Sequence, residues 1–469
     1  VSLIIGNNLK EPIVMNYATL ENEISGKVIT PEHSNYDEVR SIYNGMIDKR
    51  PDAIVRCLTT EDVVAAVHFA REHHLETAIR SGGHNGAGLA LVEHGLVIDL
   101  SEMKSIEIDA ESKTAVIQPG NTLKNIDDAT HKFGLALPGG IVGTTGIGGL
   151  TLGGGLGYLT RKGGLTIDNL LECTVVLASG EVVTTNVESH PDLFWALRGG
   201  GGNFGIVVSF TFKLLEVSTV YGGPMLWSLD QARDIMAHFD QFLAQSSNEV
   251  SGFFAFLTVP PVDPFPEHLH LQKVCGIVWC ISTDAAEGQQ ILQPFRDHFP
   301  PILDFVGELP MPALNSMFDP LYPPGLQWYW KAHFVKEVSD EYIEVNLRYA
   351  QEIPTVHSLM HLYPIDRQGA AVASHATAWN FRDARYAQVI CGVDPDPNQA
   401  DQLKEWARSY YDALVPVTMG GAYVNFMMDE GQDKVKDSYK SNYDRLVKIK
   451  AQYDPSNFFH INQNIKPIP

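Results

Sequence analysis

Between residues 53 and 118 the apolar positions come in short runs divided by turn residues, a pattern that predicts strand, helix, strand, strand and then a hairpin. The run Ala-Ile-Val-Arg-Cys at 53–57 is the first strand. Thr59 and Asp62 have the spacing of a capping box, and the stripe Val63, Val67, Ala70 carries a helix from there to His74. Residues 77–79 form a strand that runs directly into Ser81-Gly82-Gly83-His84, so His84 falls on a tight turn at a strand end. Residues 95–100 are the next strand, 105–118 alternate as a hairpin, and 121–133 read as a helix capped by Asn121. Farther along, 173–178 and 180–185 predict a second hairpin around Ser179-Gly180, and 206–212 is an apolar strand. The succession is α+β and lacks the regular βαβ spacing of a doubly wound sheet.

Glycine breaks this rhythm twice. From 134 to 164, thirteen of thirty-one residues are glycine, about a third of the forty in the chain. Glycine supplies no side chain to bury and costs backbone entropy, so such density implies backbone pressed against something other than protein, most simply a large flat ligand. A second cluster, Gly199 to Gly202 with Asn203 and Gly205, leads into the 206–212 strand. Two glycine clusters feeding strands imply one ligand held from two sides. From 217 to 418 glycine thins and aromatic residues rise, with apolar runs at 253–257 and 328–334 among helical stretches, which predicts a second domain on an antiparallel sheet. The tail, with a helical pattern at 443–453, reads as the chain returning to the first domain.

At 469 residues the chain exceeds the size of a single core, in keeping with two domains. Its 34 basic and 56 acidic residues give a net charge of −22 with no basic block, which makes nucleic acid and anionic membrane poor partners. The first twenty residues have neither the basic-then-apolar order of a leader nor the length of a membrane span, and the expected location is cytoplasmic, or secreted if a leader precedes Val1. Five scattered cysteines are too few for a disulfide framework, and Cys275 and Cys280 read as core thiols. Gly146-Ile-Gly148-Gly149 invites a Rossmann reading but lacks the preceding buried strand, and Gly153-Gly154-Gly155 interrupts the helix that should follow. No P-loop, nucleophile elbow or zinc-spaced ligand set is present, so hydrolase and metalloenzyme readings have no support and no metal is expected.

Several motifs in order then carry a resemblance: Arg80-Ser-Gly-Gly-His84-Asn85, the 146–155 glycine run, Arg161-Lys-Gly-Gly-Leu-Thr-Ile-Asp168-Asn169, Asp192-Leu-Phe-Trp-Ala-Leu-Arg-Gly-Gly200, Asn203-Phe-Gly205, Tyr423-Val-Asn-Phe426 and Tyr453-Asp-Pro-Ser-Asn-Phe458. Together they resemble the FAD-linked oxidases of the vanillyl-alcohol oxidase/p-cresol methylhydroxylase (PCMH) superfamily, in particular the berberine-bridge-enzyme-like proteins and their bacterial relatives. The resemblance spans nearly the whole chain. It implies a two-domain PCMH-type FAD-binding fold, with residues 1–215 and 415–469 forming the FAD-binding domain and 216–414 an inserted substrate domain. The implied reaction moves hydride from an alcohol or amine carbon of a small molecule to the flavin, with molecular oxygen as acceptor. A flavin dehydrogenase of the same fold and a non-catalytic flavin carrier are the alternatives.

An isolated histidine is more often structural than chemical, but His84 falls on the family position that carries the flavin covalently. A neutral imidazole is a competent nucleophile near pH 7, and its bond makes the flavin a stronger oxidant. A second, cysteinyl attachment found in many plant members falls here on Val142, so a single link is expected. The resemblance assigns the rest of the cofactor site to Arg80, Ser81, Gly82, Gly83, Asn85, Gly88, Thr144, Thr145, Gly146, Gly148, Gly149, Gly153, Gly154, Gly155 and Gly157. Asn203, Gly205, Ile206, Val207, Tyr423 and Asn462 complete it. Thr145 lies where relatives control oxygen access, although its hydroxyl could equally satisfy a turn amide. For the base that takes the substrate proton the candidates are Tyr423, with Asn425 on the same face of an expected strand, His361 and His375; either histidine could instead be a hydrogen-bonded core or rim residue. At Gly163 many plant members carry a tyrosine, and one polar substrate contact is lost with it.

Overall fold

The structure, a computed structural model, describes residues 15–468, so most of the amino-terminal stretch considered above lies outside it. The first sheet has four strands. Ala53–Arg56 pairs antiparallel with Lys27–Ile29 and parallel with Leu96–Asp99, whose other edge takes Thr77–Arg80, also parallel. The helix Thr60–Glu72 makes the crossover, and its capping box is formed as expected: the Thr59 hydroxyl accepts from the Asp62 N–H, and the Asp62 carboxylate accepts from the Thr59 N–H. The sheet is thus parallel at its centre, which strands of four residues do not advertise in sequence.

A second sheet is antiparallel in the order Ile106–Asp109, Thr114–Ile117, Ile206–Lys213, Leu170–Val176, Val182–Thr185, and both expected hairpins are in it. The helix expected at 121–133 begins one residue later than its predicted cap allows. Thr122, not Asn121, caps Leu123–Thr130 by accepting from the Asn125 N–H, while the Asn121 side chain donates to the Ser105 and Gln118 carbonyls.

The 219–394 region builds an antiparallel sheet of eight strands, with Lys273–Ile281, Val250–Thr258, Leu359–Pro364, Tyr386–Asp394 and Gln327–Val335 side by side. Side chains alternate along each strand, so the two faces read separately. Phe254, Phe256, Ile277, Trp279, Met360, Leu362 and Ile390 pack under the helices Ala232–Gln245, Ala285–His298, Asp340–Gln351 and Ala400–Leu414. Phe253, Ala255, Leu359, Tyr363, Val389 and Cys391 face the other way, toward Tyr43, Leu156, Tyr158 and Tyr423. The result is the α+β, two-domain architecture expected from the sequence.

The motif at 161–169 fastens one part to the other. Arg161, fully buried, donates to the Asp366 carboxylate at 2.7 Å and to the carbonyls of Leu243 and Val250. Asp168 takes a bidentate pair of bonds from Arg382 at 2.6 and 2.7 Å, and Arg382 also donates to the Gly369 carbonyl. A buried charge that loses its partner is strongly destabilising, so Asp168→Asn is expected to lower unfolding stability by about 3 kcal/mol. A thermal melt of variant against wild type checks this; unchanged midpoints would mean that water or another carboxylate compensates Arg382.

The carboxy-terminal segment packs back onto the first part. Leu446, Val447, Ile449 and Ile465 share a core with Leu193, Phe194, Phe204, Phe210 and Phe212. Lys450, buried, donates to Asp454 and to the carbonyls of Asn203 and Phe459, which ties the tail to the second glycine cluster.

Candidate active site

A cavity of about 350 Å³ runs between the two glycine clusters, the tail and the free face of the large sheet. His84 stands in its wall, on the turn that follows Thr77–Arg80. Its ring stacks on Tyr43, with centroids 3.9 Å apart, and Nε2 and Nδ1 lie 3.0 and 3.5 Å from the hydroxyls of Thr144 and Thr145. Burial, opposed by a hydrogen bond to Thr144, lowers the His84 pKa to about 4, so the imidazole is neutral at physiological pH. The loop that carries Thr144 and Thr145 is pinned on both sides. The Leu123 and Lys124 N–H groups donate to the carbonyls of Thr145 and Gly143, and the Asp319 carboxylate accepts from the Gly143 N–H.

The glycines do two different jobs. Gly82 and Gly146 lie backbone against backbone: a Cβ at either would come within about 2.5 Å of the other's main chain, so the two loops close only as glycine. Ser81, Gly82, Gly83, Asn85, Thr145, Gly146, Gly148 and Gly149 line the cavity on one side, and Asn203, Gly205, Ile206, Val207 and Asn462 line it on the other. Among the described residues a Cβ at Gly149 or Gly202 would meet nothing within 4 Å, and Asn462 Oδ1 is buried without a partner. Open backbone on both walls, with a polar atom left over, fits a dinucleotide lying in the trough.

The glycines at 153–157 do not line this cavity. Gly153 abuts the Asn425 amide, Gly154 abuts Trp379 and Tyr423, Gly157 abuts the Gly139 carbonyl, and Gly155, at φ +75°, aims its N–H at the Tyr423 hydroxyl. Gly153, Gly154 and Gly155 seat Asn425 and Tyr423, and Gly157 packs loop on loop, in place of the cofactor contacts expected of them. Arg80 is corrected too: its guanidinium is buried against Asp99 at 2.7 Å and the Val39 carbonyl, behind the strand it ends. Gly88, at φ +70°, packs on Ile47 and does not line the cavity; Thr144 does not line it either, and its hydroxyl bonds His84 Nε2.

Tyr423 and Asn425 are together, though not on a strand. Tyr423 leads into a single tight turn, Val424–Phe426, which folds the Asn425 side chain back so that its Nδ2 donates to Tyr423 Oη at 2.8 Å. The Gly155 N–H donates to the same oxygen at 2.8 Å. Burial pushes the phenol upward, and these two donors oppose it. His361 also lines the cavity, its Nδ1 2.7 Å from Tyr363 Oη, and burial lowers its pKa to about 3. His375 does not reach the cavity: it is exposed, and its carbonyl accepts from the Trp195 indole.

The sequence reading missed most of the sheet wall. Trp328 and Trp330 come from one strand, Leu359, His361 and Tyr363 from the next, and Val389 and Cys391 from a third. Residues two apart on one strand share a face, and that period was the available signal at Trp328 and Trp330. Tyr43 sits in an irregular segment with no periodicity to betray it.

A family model described as an FAD binding domain matches residues 51–186, and one described as Berberine and berberine like matches 422–466. An FAD-linked oxidoreductase of Dictyostelium discoideum is 31% identical, covering 95% of each chain. The (R)-6-hydroxynicotine oxidase of Paenarthrobacter nicotinovorans is 29% identical over 95% of this chain and 97% of its own. The crystal structure of 6-hydroxy-D-nicotine oxidase from Arthrobacter nicotinovorans superposes with a TM-score of 0.83 at 26% identity, over 95% of this chain and 98% of that one. With a trough suited to a dinucleotide and likeness along almost its full length, the chain belongs to the berberine-bridge-enzyme-like family of FAD-dependent oxidoreductases, within the vanillyl-alcohol oxidase/PCMH superfamily.

Proposed function

We propose that the protein is an FAD-dependent oxidase that oxidises an alcohol or amine carbon of a small molecule, with its flavin attached through His84 alone and oxygen as the electron acceptor. Bound FAD supplies the hydride acceptor, and the chain supplies the geometry and the proton acceptor. The glycine-lined trough holds the cofactor by its backbone, and Asn203 and Asn462 border the wall that the tail completes. His84, neutral and fixed between Tyr43 and Thr144, is the attachment point. Val142 lines the same cavity where a second link would need a thiol.

The observation that carries the catalytic reading is Tyr423. Its oxygen, on the same cavity as His84, receives two N–H bonds, from Gly155 and Asn425. Two fixed donors stabilise the charge that forms when a phenol gives up its proton, so Tyr423 is suited to act as phenolate base toward a substrate O–H or N–H, with Asn425 as its positioning residue. The (R)-6-hydroxynicotine oxidase, named for such a reaction, supports this class of chemistry.

Acceptor choice is tested by bleaching the flavin with substrate under nitrogen and then admitting air. Return of the yellow colour within seconds, with peroxide released, is expected; recovery over many minutes would instead mark a dehydrogenase that uses another acceptor.

A further inference from the structure

The cavity wall carries no formal charge. Among the described residues that line it there is no Asp, Glu, Lys or Arg. The titratable groups it does have stay neutral: burial keeps His361 down at about 3 and holds Tyr363 and Cys391 well above their ordinary ranges. Polar side chains are also few on the sheet side. His361 and Tyr363 bond each other through Nδ1 and Oη, which leaves His361 Nε2 without a partner among the described residues. The remainder is aromatic or aliphatic, with the indole N–H groups of Trp328 and Trp330 unpartnered among the described residues. Trp328 stacks on Tyr43 with centroids 5.4 Å apart, Trp330 stands edge-on to Trp328 at 5.6 Å, and Phe426 bridges Tyr363 and Tyr423 at 6.0 and 4.8 Å.

We infer that the substrate is a neutral, flat, conjugated alcohol with few polar groups, met by Tyr423, His361 and the indole N–H groups of Trp328 and Trp330, and is neither a sugar nor a charged amine or acid. The inference rests on the oxidase reading above and narrows its substrate. A charged group taken into this wall would lose water and find no counter-ion, and the hydroxyls of a sugar would outnumber the few donors and acceptors that Tyr423, His361, Trp328 and Trp330 offer. A planar ring instead gains contact with the faces and edges of Trp328, Trp330 and Phe426. Val389 pairs directly with His361 across neighbouring strands and sets an uncharged isopropyl group beside it on the wall.

The test uses the wild-type holoenzyme and four probes: p-methylbenzyl alcohol, p-(hydroxymethyl)benzoate, p-(aminomethyl)benzyl alcohol and xylobiose. Binding is read from perturbation of the visible flavin spectrum and turnover from anaerobic bleaching. The neutral aryl alcohol is expected to perturb and bleach the flavin with an efficiency at least about ten-fold above the other three. Equal or better action on xylobiose or on either charged alcohol overturns the inference, as does failure of the neutral alcohol to perturb the spectrum. Selective perturbation by the neutral alcohol without any bleaching supports the selectivity of the wall and sinks the oxidase reading instead.

Discussion

Acid-precipitated wild-type protein is expected to stay yellow, and His84→Ala to give a colourless pellet with all of its flavin in the supernatant. Attachment needs a nucleophile with a free lone pair, held still and open to the trough. His84 meets each condition: burial keeps its ring uncharged, Tyr43 stacks on one face, and the Thr144 hydroxyl fixes Nε2. Among the described residues that line the cavity, His361 is the other neutral imidazole, and it stands across from the glycine loops on the sheet wall, tied through Nδ1 to Tyr363. Val142 offers an alkyl group, and Cys391, the cavity-lining thiol, sits on the sheet wall with its ionisation suppressed by burial. The covalent fraction should therefore drop from near unity to zero, without the partial retention that a second link would leave. FAD should still bind His84→Ala reversibly, because the trough is built from backbone at Gly146, Gly148 and Gly149, which the substitution leaves in place. A colourless wild-type pellet would show that the cofactor is held without a bond.

How much of this was legible beforehand differs by residue. His84 could be read because its motif is local: a strand, two glycines and a histidine stand next to one another in sequence. The hairpins at 106–117 and 170–185 were legible for the same reason, since turn and strands are contiguous. The glycine run at 146–155 reads in sequence as one undivided unit. Nothing in sequence separates Gly149, open on the trough, from Gly153, whose neighbour is an amide that arrives from residue 425. Arg80 was misread because a motif records what recurs, not which way a side chain turns, and its partner Asp99 lies on the adjoining strand. The clamp from Arg161 and Asp168 was visible as a motif whose purpose depends on Asp366 and Arg382, some two hundred residues on. The sheet wall was least legible: its seven side chains come from three strands, each contributing an ordinary alternation, and only the pairing of those strands brings them to one surface.

Replacement of Tyr423 by phenylalanine is expected to lower kcat by about 10² to 10⁴ while the covalent flavin content and KM stay close to wild type. The ring fills the same space, so its contacts with Phe426 and Gly154 persist; what disappears is the oxygen that accepts from Gly155 and Asn425. Loss of a proton acceptor needed in the transition state lowers kcat, whereas loss of a substrate contact would raise KM. The pH profile separates the two roles further. Burial raises the Tyr423 pKa, against the two hydrogen bonds that lower it, so the phenol is protonated at neutral pH and the reactive phenolate grows as pH rises. Wild-type kcat/KM should climb through the alkaline range, and Tyr423→Phe should lose that climb. His361 cannot produce it, since its pKa of about 3 leaves it uncharged throughout. Asn425→Ala should fall between wild type and Tyr423→Phe, because it removes one of two donors to the phenolate, and it should move the alkaline limb upward in pH as that stabilisation is lost. If Tyr423→Phe keeps both its rate and its alkaline limb, the proton leaves the substrate by another route, and the paired donors at Gly155 and Asn425 serve only to fix a ring.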